Sequence, residues 1–324
     1  MTTSLEKPGP ADQPKPTRPK RTGTVSGLVN AAGDSGPRHR RNRMKDKALG
    51  LLFLVPSFLI FASFFFYPLY RLFYLGLHQQ NRFGTRERYV GFSQYTEVLG
   101  GEEFLDGVRI SATYVVLTVP LGLILGTLLA VAANRRLKGI KIFQTIFAST
   151  VASSVAVASV VFFVLINPQV GYFRDVSFLS LADPDTALRG VALSSVWQNL
   201  GLSFIIVLAG LQAVPDELYE ASQLDGYGPV RTFFRVTLPL ISPTLMFLIV
   251  VLVIFAFQAF AQVDILTGGG PAGSTETLVF KIFNSQQPLS QGEGSIMAIG
   301  LFGITLVVTV VQFALLDRRV HYGN

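Results

Sequence analysis

Beyond residue 47 the chain alternates long apolar runs with short polar connections. Six runs, near residues 48–77, 108–132, 146–166, 191–213, 241–263 and 296–316, approach or exceed the roughly 20 residues a helix needs to cross a bilayer. Hydrocarbon offers no partner for a free backbone amide, so runs of this length predict helices, and an all-α membrane protein. The first run is overlong and contains Pro56 and Pro68, which predict a bend or an exit from lipid before Arg71. Residues 1–47, rich in Pro, Gly, Ser, Thr, Lys and Arg, predict a disordered tail. Its run Arg38-His39-Arg40-Arg41-Asn42-Arg43-Met44-Lys45 suits an anionic cytoplasmic leaflet. The apolar run that follows is too long for a signal-peptide core and lacks a small-residue cleavage site, so no cleaved leader is expected.

Composition agrees with lipid. Half of the residues are hydrophobic and only 15% are charged, against roughly a quarter in soluble domains. The chain has no Cys and three scattered His, which excludes a disulfide framework and a credible metal cluster. The net charge of +7 does not point to nucleic acid, because the basic residues sit between apolar runs. Nineteen of the 27 Lys and Arg fall in the tail, the second and fourth loops and the C-terminus. The second loop carries Arg135, Arg136, Lys138 and Lys141 and no acid, whereas Glu87, Glu97, Glu102, Glu103 and Asp106 offset the basic residues of the first. The positive-inside bias therefore predicts both termini and the loop 214–240 on the cytoplasmic side.

That loop has its own architecture. Pro215, Asp216 and Glu217 start a helix, with acids at the positive end of its dipole. Leu218, Ala221, Ser222, Leu224 and Asp225 follow at helical spacing, and Gly226, Gly228 and Pro229 enforce a turn. A second helix is predicted from Val230, ended by Pro239. A short helix presenting Glu220 and Asp225 suits a groove on a cytoplasmic partner. The alternative is an amphipathic helix resting on headgroups. Both readings stay open on these residues; Glu220-Ala221, Gly226 and Val236-Thr237-Leu238-Pro239 form the pattern E-A-x(4)-G-x(9)-V-x-L-P.

This pattern resembles the EAA signature of ABC importer permeases. Asn167-Pro168-Gln169-Val170-Gly171 is similar to the N-P-x-x-G of maltose-permease-type carbohydrate importers, and Thr267-Gly268-Gly269-Gly270-Pro271 with Ser274-Thr275-Glu276-Thr277-Leu278 resembles their last external loop. Tyr89-Val90-Gly91-Phe92, Ser195-Val196-Trp197-Gln198-Asn199, and the ending from Thr309 through Tyr322 are closest to the glycerol-phosphate permeases of that family. Ser222 and Tyr227 stand where Ala is usual. The resemblance covers about residues 45–324. It implies a six-span transmembrane domain over 48–324 with a coupling-helix loop at about 214–240, in a bacterial cytoplasmic membrane. Glu220, Ala221, Asp225, Gly226 and Pro239 would then couple to the ATPase, and Gly269, Gly270 and Pro271 would form a turn against the receptor. The implied partners are a second homologous permease, a dimer of ATPases that bind ATP and Mg, and an extracytoplasmic binding protein. The implied cargo is glycerol phosphate or a glycerophosphodiester, with an oligosaccharide as the alternative.

The run Gly268-Gly269-Gly270 is no phosphate-binding loop, because no Lys-Ser or Lys-Thr follows it and Pro271 blocks a helix. The chain contains no G-x-x-x-x-G-K-[ST], so it is expected neither to bind nucleotide nor to be an enzyme. Polar groups inside apolar runs are costly and suggest a pathway. The candidates are Gln198, Asn199 and Ser203 in the fourth run and Gln258, Gln262 and Asp264 in the fifth, with Trp197 able to stack on a sugar or choline-like group. Helix–helix hydrogen bonding, or interfacial placement of Trp197 and Asp264, is the structural alternative. Arg71 and Arg109 near the external mouth could attract phosphate or serve as snorkelling anchors. A secondary transporter would show more spans, an internal repeat and buried ion-coupling acids. A scaffold or receptor subunit would not need the docking helix.

Overall fold

The computed structural model describes residues 50–81, 83–84, 87–134 and 138–316. The basic run of the tail, Arg135, Arg136 and the ending beyond Leu316 lie outside the described residues. The chain divides into two units, Met1–Phe64 and Phe65–Asn324, and the division falls inside the first helix.

That helix, α1, runs Gly50–Gly76. A wide π turn at Ala62–Phe66 precedes Pro68. An antiparallel pair of three-residue strands follows, β1 (His78–Gln80) and β2 (Glu87–Tyr89), with Gln79 opposite Arg88. Next come α2 (Ser93–Gly100) and α3, a 32-residue helix from Glu102 to Ala133. After the second loop, α4 (Ile140–Ala148) continues as a 3₁₀ turn (Ser149–Ala152) and gives way to α5 (Val155–Ile166). The remaining helices are α6 (Ala187–Gln212), α7 (Asp216–Leu224), α8 (Pro229–Leu240), α9 (Ser242–Phe257), α10 (Ala261–Leu266), α11 (Leu278–Asn284) and α12 (Gln291–Leu316).

Four helices (α1, α3, α6 and α12) are each long and apolar enough to span a membrane, and two bent pairs bring the number to as many as six. The third run, read from sequence as one segment over 146–166, is the first bent pair. Its halves meet at 101° because Ser153 and Ser154 adopt extended backbone. The fifth run, expected over 241–263, is the second. Helix α9 meets α8 at 69° and stops at Phe257, with Gln258 as its C-cap. Pro239 does not end α8, which passes through it to Leu240. A π turn at Phe233–Thr237 precedes Pro239 as another precedes Pro68. Proline lacks an N–H and its ring collides with the carbonyl four residues back, and widening the preceding turn relieves that collision.

The core lies where α3, α6 and α9 meet, around Tyr114, Ala130, Val207, Leu248 and Val263. Glycine lets α6 take neighbours against its backbone. A side chain at Gly126 of α3 would strike Ser203, one at Gly201 would strike the Phe147 carbonyl and Thr150, and one at Gly210 would strike Thr244. Small residues at such crossings are how helices associate in lipid, where apolar burial gives no advantage over lipid contact. Ser203, expected in a pathway, is completely buried at the α3 crossing.

Candidate functional site

Two regions stand out, a polar hairpin and a largely apolar cavity with a few polar groups in its wall. The first is the hairpin of α7 and α8. Helix α7 opens with Asp216 and Glu217 in its first turn and ends in a Schellman motif. Gly226 has φ +73°, its N–H donates to the Gln223 carbonyl at 3.0 Å, and the Tyr227 N–H donates to the Ser222 carbonyl at 2.9 Å. A Cβ at Gly226 would meet nothing, so backbone conformation and not space selects glycine here. Glu220, Ala221 and Asp225 are exposed, and Leu224 at the tip is 89% exposed. Pro239 is half-buried near the far end of α8.

The two residues that depart from the usual Ala brace the hairpin. Ser222 is buried, donates to the Tyr219 carbonyl at 2.8 Å and lies 3.3 Å from the Thr232 hydroxyl. The Arg231 guanidinium lies 4.2 Å from the Tyr227 ring centroid, a cation–π contact. Between this hairpin and the start of α4 runs a groove of about 1070 Å³, lined by Lys141, Gln144, Tyr219, Ser222, Gln223 and Tyr227.

The second region is a cavity of about 740 Å³ whose wall is drawn from α3, the break between α4 and α5, α6, α9 and α10. It brings together Gln198, Asn199, Gln258 and Gln262 from the sequence candidates. Asn199 donates to the Ser195 carbonyl at 3.0 Å. Gln198 is committed elsewhere. Its amide donates to the Ser153 carbonyl at 2.8 Å and accepts from the Ser153 hydroxyl at 3.2 Å, satisfying the backbone where the α4–α5 pair breaks. Gln258 is exposed at the end of α9. Trp197 and Asp264 are not in this wall. Trp197 stands against Phe162 with ring centroids 5.7 Å apart, and Asp264 is exposed on α10, beyond the break that follows Gln258.

Sequence reasoning missed Tyr114, Thr118, Ser153, Ser154 and Ser195, which also line the cavity. Tyr114 is completely buried and hydrogen-bonds Ser195 across the α3–α6 interface. A phenol at the centre of an apolar run was the available signal for it.

The glycine-rich loop between α10 and α11 is held internally. Gly268, Gly269 and Gly273 all have positive φ, the hydroxyls of Thr267 and Thr275 lie 2.7 Å apart, and Thr275 donates to the Gly270 carbonyl at 2.9 Å. Gly269 is buried against Phe280, whose ring a side chain there would strike, while Gly270 and Pro271 are part-exposed. The loop is anchored to α3 by the Leu278 N–H, which donates to the Ser111 hydroxyl at 2.9 Å.

Long apolar helices, a hairpin of short helices with exposed acids, and a largely apolar cavity that carries a few amide and hydroxyl groups suit a solute permease. The chain belongs to the family of binding-protein-dependent transport system inner membrane components, whose pattern matches residues 119–322. It is 32% identical over 286 residues to the sn-glycerol-3-phosphate transport system permease protein UgpA of Brucella abortus biovar 1 (strain 9-941), covering 86% of this chain and 98% of the relative. It is also 32% identical over 282 residues to the UgpA of Yersinia pestis, covering 85% and 96%. Its fold is similar to that of a chain in a bacterial ABC transporter involved in the import of the acidic polysaccharide alginate, with TM-score 0.71, 20% identity and coverage of 87% and 99%. The chain is a permease subunit of an ABC importer and is not itself an enzyme.

Proposed function

We propose that this permease forms half of a translocation pathway for glycerol phosphate or glycerophosphodiesters. A second homologous permease supplies the other half, an extracytoplasmic binding protein delivers the cargo, and a dimer of ATPases, binding ATP and Mg, drives the cycle. The observation that carries the substrate is the 32% identity to glycerol-3-phosphate permeases along 86% of the chain. The chain crosses the bacterial cytoplasmic membrane six times, with residues 48–324 as the membrane domain, residues 1–47 as a cytoplasmic tail and both termini inside. The bent pairs α4–α5 and α8–α9 count as one span each, which the charge bias between loops supports.

The α7–α8 hairpin seats in the ATPase. Glu220, Ala221 and Asp225 face the partner, Gly226 fixes the helix end, and Pro239 lies where the hairpin returns to the membrane. Cargo passes Asn199 and Gln258 in the cavity between the helices. Amide side chains there bind weakly enough to release what the receptor delivers. Trp197 and Asp264 lie outside this cavity and are assigned to packing and to the membrane interface, and Gln198 to bracing the break at Ser153. Gly270 and Pro271 contact the receptor, with Gly269 setting the turn beneath them.

An oligosaccharide is the second reading, favoured by the uncharged cavity wall. Uptake of labelled sn-glycerol 3-phosphate and of a labelled disaccharide by the complete reconstituted transporter separates the two. Uptake of the disaccharide alone would reverse the assignment. The chain's lack of Cys makes topology testable by single-cysteine labelling. Labelling at position 138 from outside intact cells would overturn the orientation.

A further inference from the structure

A third cavity, of about 680 Å³, lies among the outer end of α3, the start of α6 and the loop before α11. Its wall holds Arg109, Arg189 and Lys281 together with Asp106, Asp185 and Glu276. These charges are not equivalent. Lys281 is 2.9 Å from Glu276, and its side chain is only 12% exposed, so this pair is internally neutralised. Arg109 and Arg189 are exposed, and among the described residues neither forms an ion pair. Asp106 lies three residues before Arg109 on α3, a spacing that permits a same-helix pair, and Asp185 lies in the turn just before α6, four residues from Arg189, yet neither pair closes. The wall also holds the buried Ser274 hydroxyl, which has no hydrogen-bond partner.

We infer that this cavity is an outer acceptor site for a phosphate ester carrying a polyol or ammonium group, set between Arg109 and Arg189 and distinct from the amide-lined cavity. Two guanidinium forks match the oxygens of a phosphate, which a single ammonium cannot do with the same geometry. The carboxylates of Asp106 and Asp185 accept from glycerol hydroxyls or face a quaternary ammonium, which accounts for both signs of charge in one wall. The inner cavity has no charged side chain in its wall. Affinity for the anion therefore resides outside, and the inner passage stays weakly binding. The inference rests on the reading of the chain as a phosphate-ester importer. A phospholipid headgroup presents the same chemistry, and the experiment separates the two sources.

The test uses the complete transporter without its receptor, in nanodiscs of phosphatidylglycerol or of a phosphorus-free glycolipid. Binding of labelled sn-glycerol 3-phosphate and glycerophosphocholine is measured for wild type, Arg109→Gln/Arg189→Gln and Arg109→Lys/Arg189→Lys. We expect saturable binding in wild type that weakens about fivefold in the Gln pair, in line with the modest worth of exposed charge contacts, and partly recovers in the Lys pair. The KM for receptor-dependent uptake should rise in parallel. Binding in glycolipid discs that phosphatidylglycerol abolishes supports the same site and assigns its phosphate to lipid. Equal binding by all three proteins overturns the site. Failure of wild type to import sn-glycerol 3-phosphate while still binding it overturns the substrate reading and leaves the site standing.

Discussion

The α7–α8 hairpin and the central cavity both place polar groups in one membrane protein, and they are built in opposite ways. The hairpin is local. Residues 216–240 form two helices and a turn, closed by hydrogen bonds between neighbours such as Tyr227 N–H to the Ser222 carbonyl. The cavity is assembled at long range. Tyr114 of α3 meets Ser195 of α6, and Gln198 of α6 reaches back to Ser153. A local device tolerates change around it but not at its turn, because one backbone conformation defines it. A distributed one spreads its function over several weak contacts, any of which can be lost at moderate cost, while it depends on the packing that brings them together.

The sharpest break of this comparison is Gly226→Val. An L-residue in the left-handed region costs about 1–2 kcal/mol, more when β-branched. The hairpin end should reorient, with receptor-stimulated ATP hydrolysis and uptake falling at least about tenfold as the rigid coupling element is lost. Normal uptake in that variant, with normal membrane insertion, would refute the coupling role. Next in size is Gly201→Leu, which bears on the cavity only through packing, since a side chain there would strike the Phe147 carbonyl, Thr150 and Val151. Overpacking of about 1–3 kcal/mol should lower the melting temperature of the purified complex and reduce uptake. An unchanged melting curve would mean that α4 is not held against α6 as described. Smaller again are Asn199→Ala and Gln258→Ala, each expected to lower the uptake rate severalfold while the complex still copurifies. Wild-type transport in both would reduce these amides to helix-packing groups. The smallest is Ser222→Ala, which restores the residue usual in the resembled motif and removes the contact to Thr232. A loss of no more than about 1 kcal/mol is expected, read as a slight drop in melting temperature with uptake unchanged. A large loss of uptake would show that the serine itself meets the ATPase.

The same contrast governs what the sequence disclosed. The hairpin was legible because its signals are adjacent: acids at the start of α7 and Gly226 at the required turn, although Pro229, read as part of the turn, is the first residue of α8. The six apolar runs were legible because length alone implies a helix in lipid. The breaks were not. Ser153 and Ser154 interrupt an apolar run without proline or glycine, and the side chain that stabilises the interruption, Gln198, lies 45 residues away. The same distance hid the purpose of Gln198, which looked like a pathway residue because it is polar in an apolar run. Pro239 misled in the other direction. It looks like a stop, but the π turn before it lets the helix pass, and the bend falls at Ile241 instead. Asp264 was placed in the fifth span because periodicity carries no mark of the helix end at Phe257.

The glycine contacts along α6 have a mechanical consequence. With Ser203 of α6 against Gly126, Phe147 and Thr150 against Gly201, and Thr244 against Gly210, this helix is gripped along its length by three different neighbours. Rotation about its own axis would drive side chains into those narrow crossings, and dense contacts of this kind resist gradual deformation. Helix α6 therefore acts as a keel, carrying α3, the end of α4 and the start of α9 as one body. Two bends adjoin this body, one at Ser153–Ser154, tied to α6 through Gln198, and one at Ile241. The second of these joins the α7–α8 hairpin to the helix that ends at Phe257, just before Gln258. A displacement of the hairpin, were α9 to stay straight, would reach the cavity wall as a change of angle at Ile241.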